Sequence, residues 1–219
     1  MWISFLAIML AATLFLFVFT RLVAERLVRH HHGQKKDFFK YYPIQPGDIV
    51  FLGDSITDGA RWDELFPGLP VKNRGINADT VEGVVQRLHD ILSGQPAAIF
   101  ILIGTNDLPW YVYHNDAAIL GQYEMILQCC KNDIPLTQVF VQSILPRHAR
   151  YANRIQNLNQ QLKSLAEKYA CEYIDLFSHF AGENGQMLAE LSNDQLHLMG
   201  AGYARWVELI KPIISRIQS

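Results

Sequence analysis

The chain has 219 residues, half of them hydrophobic, and its 19 Lys and Arg against 21 Asp and Glu leave a formal net charge of -2. That near-neutrality excludes the basic footprint of a nucleic-acid-binding protein. Three cysteines, two of them adjacent (Cys129, Cys130), exclude a disulfide framework and match no zinc-knuckle spacing, so they read as small buried hydrophobes. The length suits one sizeable globular domain plus something extra.

The extra piece comes first. Residues 1 to 20 contain no charged side chain, and about 20 apolar residues in a helix cover the ~30 Å hydrocarbon core of a bilayer. A cleaved signal peptide fits less well. No Lys or Arg precedes the apolar run, the run is too long, and Leu22 stands where cleavage after Ala24 wants a small residue. A soluble core helix would not be apolar on every face. Residues 1–22 are therefore expected to be a transmembrane anchor. Arg21, Arg26, Arg29, Lys35 and Lys36 all follow it, which places the rest of the chain on the cytoplasmic side rather than the periplasmic or extracellular one.

Residues 23–45 read as a basic juxtamembrane linker, helical at least to Arg29 and able to touch anionic headgroups. His30, His31 and His32 are adjacent, so they point in different directions and read as a solvated face, not a metal site. Phe38, Phe39, Tyr41 and Tyr42 suit either the membrane interface or the surface of the domain that follows. Pro43 and Pro46 break the chain before the first strand.

Residues 46–219 alternate strand and helix. Apolar runs at Asp48–Leu52, Ala97–Ile103 and Thr137–Ile144 read as buried parallel strands, Glu172–Leu176 as a shorter one and Pro70–Asn73 as an edge strand. Helical stripes lie between them. Val81, Val84, Val85, Leu88 and Ile91 share a face, with Asp79 and Glu82 at cap spacing and Gly94 as the stop. Ile119, Tyr123, Ile126, Leu127 and Cys130 form a second stripe, and Ile155, Leu158, Leu162, Leu165 and Tyr169 a third. Trp206, Val207, Ile210 and Ile213 close the chain. This alternation predicts an α/β fold with a parallel sheet covered by helices on both faces.

In such sheets ligands sit outside the carboxyl ends of the strands, where Gly53-Asp54-Ser55 delivers a small polar side chain. A serine nucleophile needs a base, and the base needs a partner that holds its tautomer. Asp194-Gln195-Leu196-His197 supplies both three residues apart, close enough to meet on one side of a turn. An oxyanion needs donors fixed in advance. Gly75 after the edge strand and Asn106 after the central one are candidates, although each taken singly reads as ordinary loop chemistry.

The ordered blocks Gly53-Asp54-Ser55, Gly75, Gly104-Thr105-Asn106-Asp107 and Asp194-x-x-His197 resemble those of the SGNH (GDSL-type) hydrolases. The flanking Asn73-Arg74-Gly75-Ile76, Leu145-Pro146-Arg147 and Gly202-Tyr203 look like the lysophospholipase and platelet-activating-factor-acetylhydrolase branch. The resemblance covers roughly residues 46 to 215. It implies a three-layer α/β/α fold with a five-stranded sheet of order 2-1-3-4-5. It also implies a nucleophile at Ser55, a base at His197 oriented by Asp194, and an oxyanion hole of Ser55 N–H, Gly75 N–H and the Asn106 side chain. One departure stands beside Gly75: many relatives carry a glycine pair where this chain has Asn77-Ala78.

The activity so implied is hydrolysis of carboxylic esters (small acyl or acetyl esters, or lysophospholipids) through an acyl-serine, with no metal or organic cofactor. The alternatives are a carbohydrate O-acetylesterase and a catalytically silent ligand-binding domain. Trp110 and Tyr111 directly follow the Asn106 block and are candidates for an acyl pocket wall, and Arg147 for a charged headgroup. Partners are then a small or lipid-derived ester and the membrane; the oligomeric state is left open.

Overall fold

The computed structural model describes residues 2–109 and 114–218, the backbone alone for residues 2–8 and 24. The chain opens with one continuous helix, α1 (Trp2–Tyr41), which Gly33 does not interrupt and which ends just ahead of Pro43. Among the described residues no helix is long and apolar enough to cross a membrane. The expected single-pass anchor is therefore not supported.

The second half of α1 packs on the domain, one of the two placements open to its aromatic residues. Phe39 is buried with the Arg74 guanidinium 4.6 Å above its ring, and Arg74 Nη2 donates to the Tyr42 carbonyl at 2.6 Å. Lys35 pairs with Asp58, and His31 and His32 are half-buried, whereas Phe38, Tyr41 and Tyr42 stay exposed.

The remaining elements follow in the expected alternation: β1 (Ile49–Gly53), α2 (Ser55–Asp58), α3 (Trp62–Leu65), β2 (Val71–Gly75), α4 (Val81–Leu92), β3 (Ala98–Leu102), α5 (Asp116–Asp133), β4 (Gln138–Gln142), α6 (Ala152–Lys168), β5 (Glu172–Ile174), α7 (Phe177–Phe180) and α8 (Gly200–Ile217). The five strands form a parallel sheet in the order β2-β1-β3-β4-β5, with β2 at the edge. In register, Gly53 lies between Gly75 and Leu102, so the carboxyl ends of β2, β1 and β3 come level.

Strand periodicity divides the core in two. Val50, Leu52, Ile99 and Ile101 face α4, α5 and α6, where the apolar stripes read from sequence are buried. Ile49, Phe51, Phe100 and Phe140 face the other way, against Trp62, Trp206 and Ile210. On that face the rings of Trp62, Phe51, Phe100 and Phe140 stack in a row with centroids 3.5, 5.1 and 4.5 Å apart. The result is a three-layer α/β/α fold.

Two helix boundaries differ from the sequence reading. Thr80, not Asp79, caps α4 by accepting from the Gly83 N–H at 3.2 Å, while Asp79 is taken by a buried ion pair with Arg87. Gly94 does not adopt the left-handed stop conformation. It is small because Ile44 passes over it, 2.4 Å from where a Cβ would stand, and the left-handed turn falls instead on Gln95 (φ 50°).

Candidate active site

β1 ends where no side chain fits: a Cβ on Gly53 would lie 2.2 Å from the Leu102 carbonyl oxygen. The next residue, Asp54, caps α2 by accepting from the Ile56 N–H at 3.0 Å. Its carboxyl is buried, and that burial, with Asp79 and Asp107 nearby, pushes its pKa up to about 7 against the opposing pull of the Ile56 N–H and Arg147. Ser55 then opens α2, and among the described residues its N–H donates to no partner. Trp62 Nε1 donates to the Thr57 carbonyl at 3.0 Å and the Tyr203 hydroxyl to the Ile56 carbonyl at 2.9 Å, so α2 is clamped from two sides.

Ser55 Oγ lies 3.0 Å from His197 Nε2, and His197 Nδ1 lies 2.7 Å from Asp194 Oδ2. The other carboxylate oxygen of Asp194 accepts from the backbone N–H of His197 (2.8 Å), that of Leu196 (2.9 Å) and the Ser192 hydroxyl (3.1 Å). Partial burial works to raise the Asp194 pKa. The hydrogen bonds from His197, Leu196 and Ser192 outweigh it and hold the carboxyl well below the usual range. An ionised carboxylate only accepts, so the imidazole hydrogen sits on Nδ1 and the Nε2 lone pair faces the serine hydroxyl. The left-handed backbone of Gln195 (φ 59°) and a hydrogen bond from Met199 N–H to the Leu191 carbonyl at 2.8 Å close this loop.

Asn106 also arrives at the crevice. Gly104 takes φ 121°, a turn that L side chains rarely allow, and delivers the 3₁₀ turn Thr105–Asp107. Asn106 Nδ2 donates one hydrogen to the Asp79 carbonyl at 2.9 Å, which leaves its second N–H. Arg147, considered above for a charged headgroup, supports this turn: Nη1 donates to the Thr105 carbonyl at 2.8 Å and the guanidinium lies 4.8 Å over the Tyr151 ring. Trp110 and Tyr111 lie outside the described residues.

Gly75 is not presented as a donor. Its N–H is bonded to Asn73 Oδ1 at 2.9 Å, and a Cβ there would stand 2.2 Å from the Asp58 backbone nitrogen. The glycine is needed because α2 passes against the end of β2, which is a packing role. A backbone N–H that sequence reasoning did not consider lies three residues on. Ile76 N–H binds the Gly53 carbonyl at 3.1 Å and Asp79 N–H binds the Ile76 carbonyl at 3.1 Å, closing a turn whose tip is Asn77-Ala78. Ala78 is exposed, holds φ 59°, and among the described residues its N–H has no partner. The signal was present: this is where relatives place the glycine pair that Asn77-Ala78 replaces, and a left-handed φ is what such a glycine serves.

Beneath the crevice lies a buried ionic layer. Asp79 pairs with Arg87 at 2.8 Å, and Arg87 Nη2 also donates to the Gly53 carbonyl at 3.1 Å. Asp107 accepts from the Val81 N–H at 3.2 Å and from His114 Nδ1 at 2.8 Å. Burial drives the Asp107 pKa up and that of Arg87 down. Among the described residues no cluster of three or more His, Cys, Asp or Glu could hold a metal ion.

The model of the GDSL-like lipase/acylhydrolase family matches residues 51–205, most of the chain and all of the crevice. The chain belongs to that family. Platelet-activating factor acetylhydrolase IB subunit alpha2 of Rattus norvegicus is 29% identical over 182 residues, covering 78% of this chain and 77% of that protein. The alpha1 subunit of Pongo abelii is 26% identical over 181 residues, covering 78% and 76%. Among solved structures, a GDSL-like lipase from Bacteroides thetaiotaomicron superposes with a TM-score of 0.70 at 25% identity, covering 77% of this chain and 88% of that one. An acetylxylan esterase from Geobacillus stearothermophilus, 20% identical with a TM-score of 0.62 and covering 76% and 93%, shares the fold. This GDSL-family chain is a carboxylic ester hydrolase.

Proposed function

We propose that the chain hydrolyses small acyl or acetyl esters, lysophospholipid-type esters among them, by two-step acyl transfer on Ser55. The observation that carries this reading is the unbroken line from Ser55 Oγ to His197 Nε2 (3.0 Å) and from His197 Nδ1 to Asp194 (2.7 Å). In the first step Ser55 attacks the ester carbonyl while His197 takes its proton. Asp194 holds the imidazole tautomer and stabilises the imidazolium. The oxyanion is met by the N–H groups of Ser55 and Ala78 and the second amide hydrogen of Asn106, and the alcohol leaves with the proton from His197. Water activated by the same histidine then releases the acid.

A lipid-derived substrate is favoured over a carbohydrate ester because the platelet-activating factor acetylhydrolases match at 29% identity, whereas the acetylxylan esterase likeness extends to fold alone. The described apolar side chains of α1, among them Leu10, Leu14, Phe15, Phe17 and Phe19, are exposed and suit contact with lipid.

The test is hydrolysis of p-nitrophenyl acetate, butyrate and longer esters by the full chain in detergent, beside Ser55→Ala and His197→Ala. Turnover by the wild type with loss of orders of magnitude in both variants is expected. Equal rates in all three would end the reading.

A further inference from the structure

We propose that His32, carried on α1, is a positioning residue that holds the Asn77–Ala78 peptide in the orientation that offers its N–H to the oxyanion. This rests on the reading of Ala78 as a donor given above. It goes beyond that reading by assigning part of the site's geometry to a helix outside the family match, which begins at residue 51.

The peptide in question is the central one of the turn closed by Asp79 N–H and the Ile76 carbonyl. In a β-turn the central peptide is the labile element, because the two commonest turn types differ by its rotation through about 180°. One orientation requires a positive φ at the third residue and the other a negative one. Ala78 takes the positive one (φ 59°), while Asn77 is not among the positive-φ residues. A glycine is indifferent to that choice. An alanine is not, and the left-handed state is disfavoured to an extent that corresponds to roughly a tenfold population shift. Left to itself, this turn would favour the flipped peptide, with the carbonyl where the N–H belongs.

His32 opposes the flip. Its Nε2 lies 2.8 Å from the Asn77 carbonyl oxygen. A carbonyl only accepts, so Nε2 carries the hydrogen and donates. A trans peptide points its C=O and N–H in opposite directions. With the carbonyl held toward α1, the Ala78 N–H is turned away from α1, toward the ends of β1 and β3, where Ser55 and Asn106 sit. The same hydrogen bond polarises the peptide and strengthens its other end as a donor. The histidine is itself fixed: one turn further along α1, Lys35 pairs with Asp58 at the end of α2, and beyond it Phe39 lies under Arg74. In this chain a hydrogen bond from α1 supplies the constraint that a glycine would make unnecessary.

The experiment compares kcat and KM on p-nitrophenyl butyrate for the full chain and for His32→Ala, His32→Gln, Ala78→Gly and His32→Ala/Ala78→Gly. His32→Ala is expected to lower kcat about tenfold with KM within about twofold. His32→Gln, which keeps a donor at similar reach, is expected to restore most of that loss. In the Ala78→Gly background the same His32→Ala change is expected to lower kcat less than threefold, since glycine removes the penalty that the histidine offsets. General loosening of α1 would predict neither the rescue by Gln nor the smaller effect beside glycine. A His32→Ala enzyme with wild-type kcat overturns the proposal, and so does an equal loss in both backgrounds. Ser55→Ala, measured alongside, separates the failures. If Ser55→Ala still turns over, the site reading falls and takes this proposal with it. If Ser55→Ala is inert while His32→Ala is fully active, the role of His32 alone falls.

Discussion

Asp194→Asn is the substitution whose effect follows most directly from the geometry. The two carboxylate oxygens have separate duties: Oδ1 takes the backbone N–H groups of Leu196 and His197 and the Ser192 hydroxyl, and Oδ2 takes His197 Nδ1. An asparagine keeps its oxygen for the first three donors, so the loop 192–197 remains closed. Its NH₂ then faces His197 Nδ1 and must donate to it. The imidazole responds by moving its hydrogen to Nε2, and the lone pair that would take the Ser55 proton is gone. Wrong-tautomer variants of this kind lose about 10⁴ in kcat, close to 5.4 kcal/mol of transition-state stabilisation. KM and the melting temperature are expected to move little, because Asp194 and His197 are both about half exposed (side chains 47% and 49%) and the loop's backbone bonds survive. The assay is steady-state hydrolysis of p-nitrophenyl butyrate by wild type and variant, with thermal unfolding of each. An Asp194→Asn enzyme within tenfold of wild-type kcat would refute the reasoning, since it would show that His197 does not depend on Asp194 for its tautomer.

Three further predictions use other parts of the site. Asn106→Ala removes one oxyanion donor and is expected to lower kcat by about 10²–10³ with a smaller change in KM, read from the same assay. Gly75→Ala forces a Cβ to within 2.2 Å of the Asp58 nitrogen and is expected to destabilise by at least about 1–3 kcal/mol and to depress activity by shifting α2, seen as a lowered denaturant midpoint. Asp54 has a folded pKa raised from 3.8 to about 7, so the stability it contributes is full below about pH 4 and is lost as pH rises to about 7. Asp54→Asn keeps the cap but not the titration; relative to wild type it should therefore gain about 2–3 kcal/mol between pH 5 and pH 8, and denaturant curves with the same offset at both pH values would contradict this.

Much of this was legible in the sequence. The apolar runs and helical stripes set the alternation and hence the parallel sheet, because burial on both faces leaves few other arrangements for such strands. That Ser55, Asp194 and His197 come together was legible through the ordered blocks that resemble the SGNH hydrolases; the Asp-x-x-His spacing alone is a weak signal. What was not legible was the direction of backbone groups. A glycine in sequence announces that some backbone passes close by, without saying which. At Gly75 it is α2, and at Gly94 it is Ile44. The turn at Asn77-Ala78, conversely, carries an alanine, and its only signal was the departure from the glycine pair of the family pattern. The partner of Arg147 was not legible for a similar reason: the Thr105 carbonyl that it binds is placed by another strand.

The distribution of burial explains why so open a site can still be well formed. The groups assigned to chemistry are exposed or half-exposed, and a flexible surface would not hold them within hydrogen-bond reach. What holds them lies one layer down. Arg87 joins Asp79 to the Gly53 carbonyl, so the end of β1 that presents Ser55 and the turn that presents Ala78 share one buried cation. Asn106 closes the same unit from the third strand by donating to the Asp79 carbonyl. A buried pair of this kind adds little net stability, but losing one partner strands the other charge in the core at a cost of about 3–5 kcal/mol. The three strand ends are thereby forced to keep one relative arrangement or none. On this view the carboxyl edge of the sheet owes its precision to buried charge more than to apolar packing. That layer fixes Asp79 and not the peptide between Asn77 and Ala78, and this peptide is the one that α1 reaches.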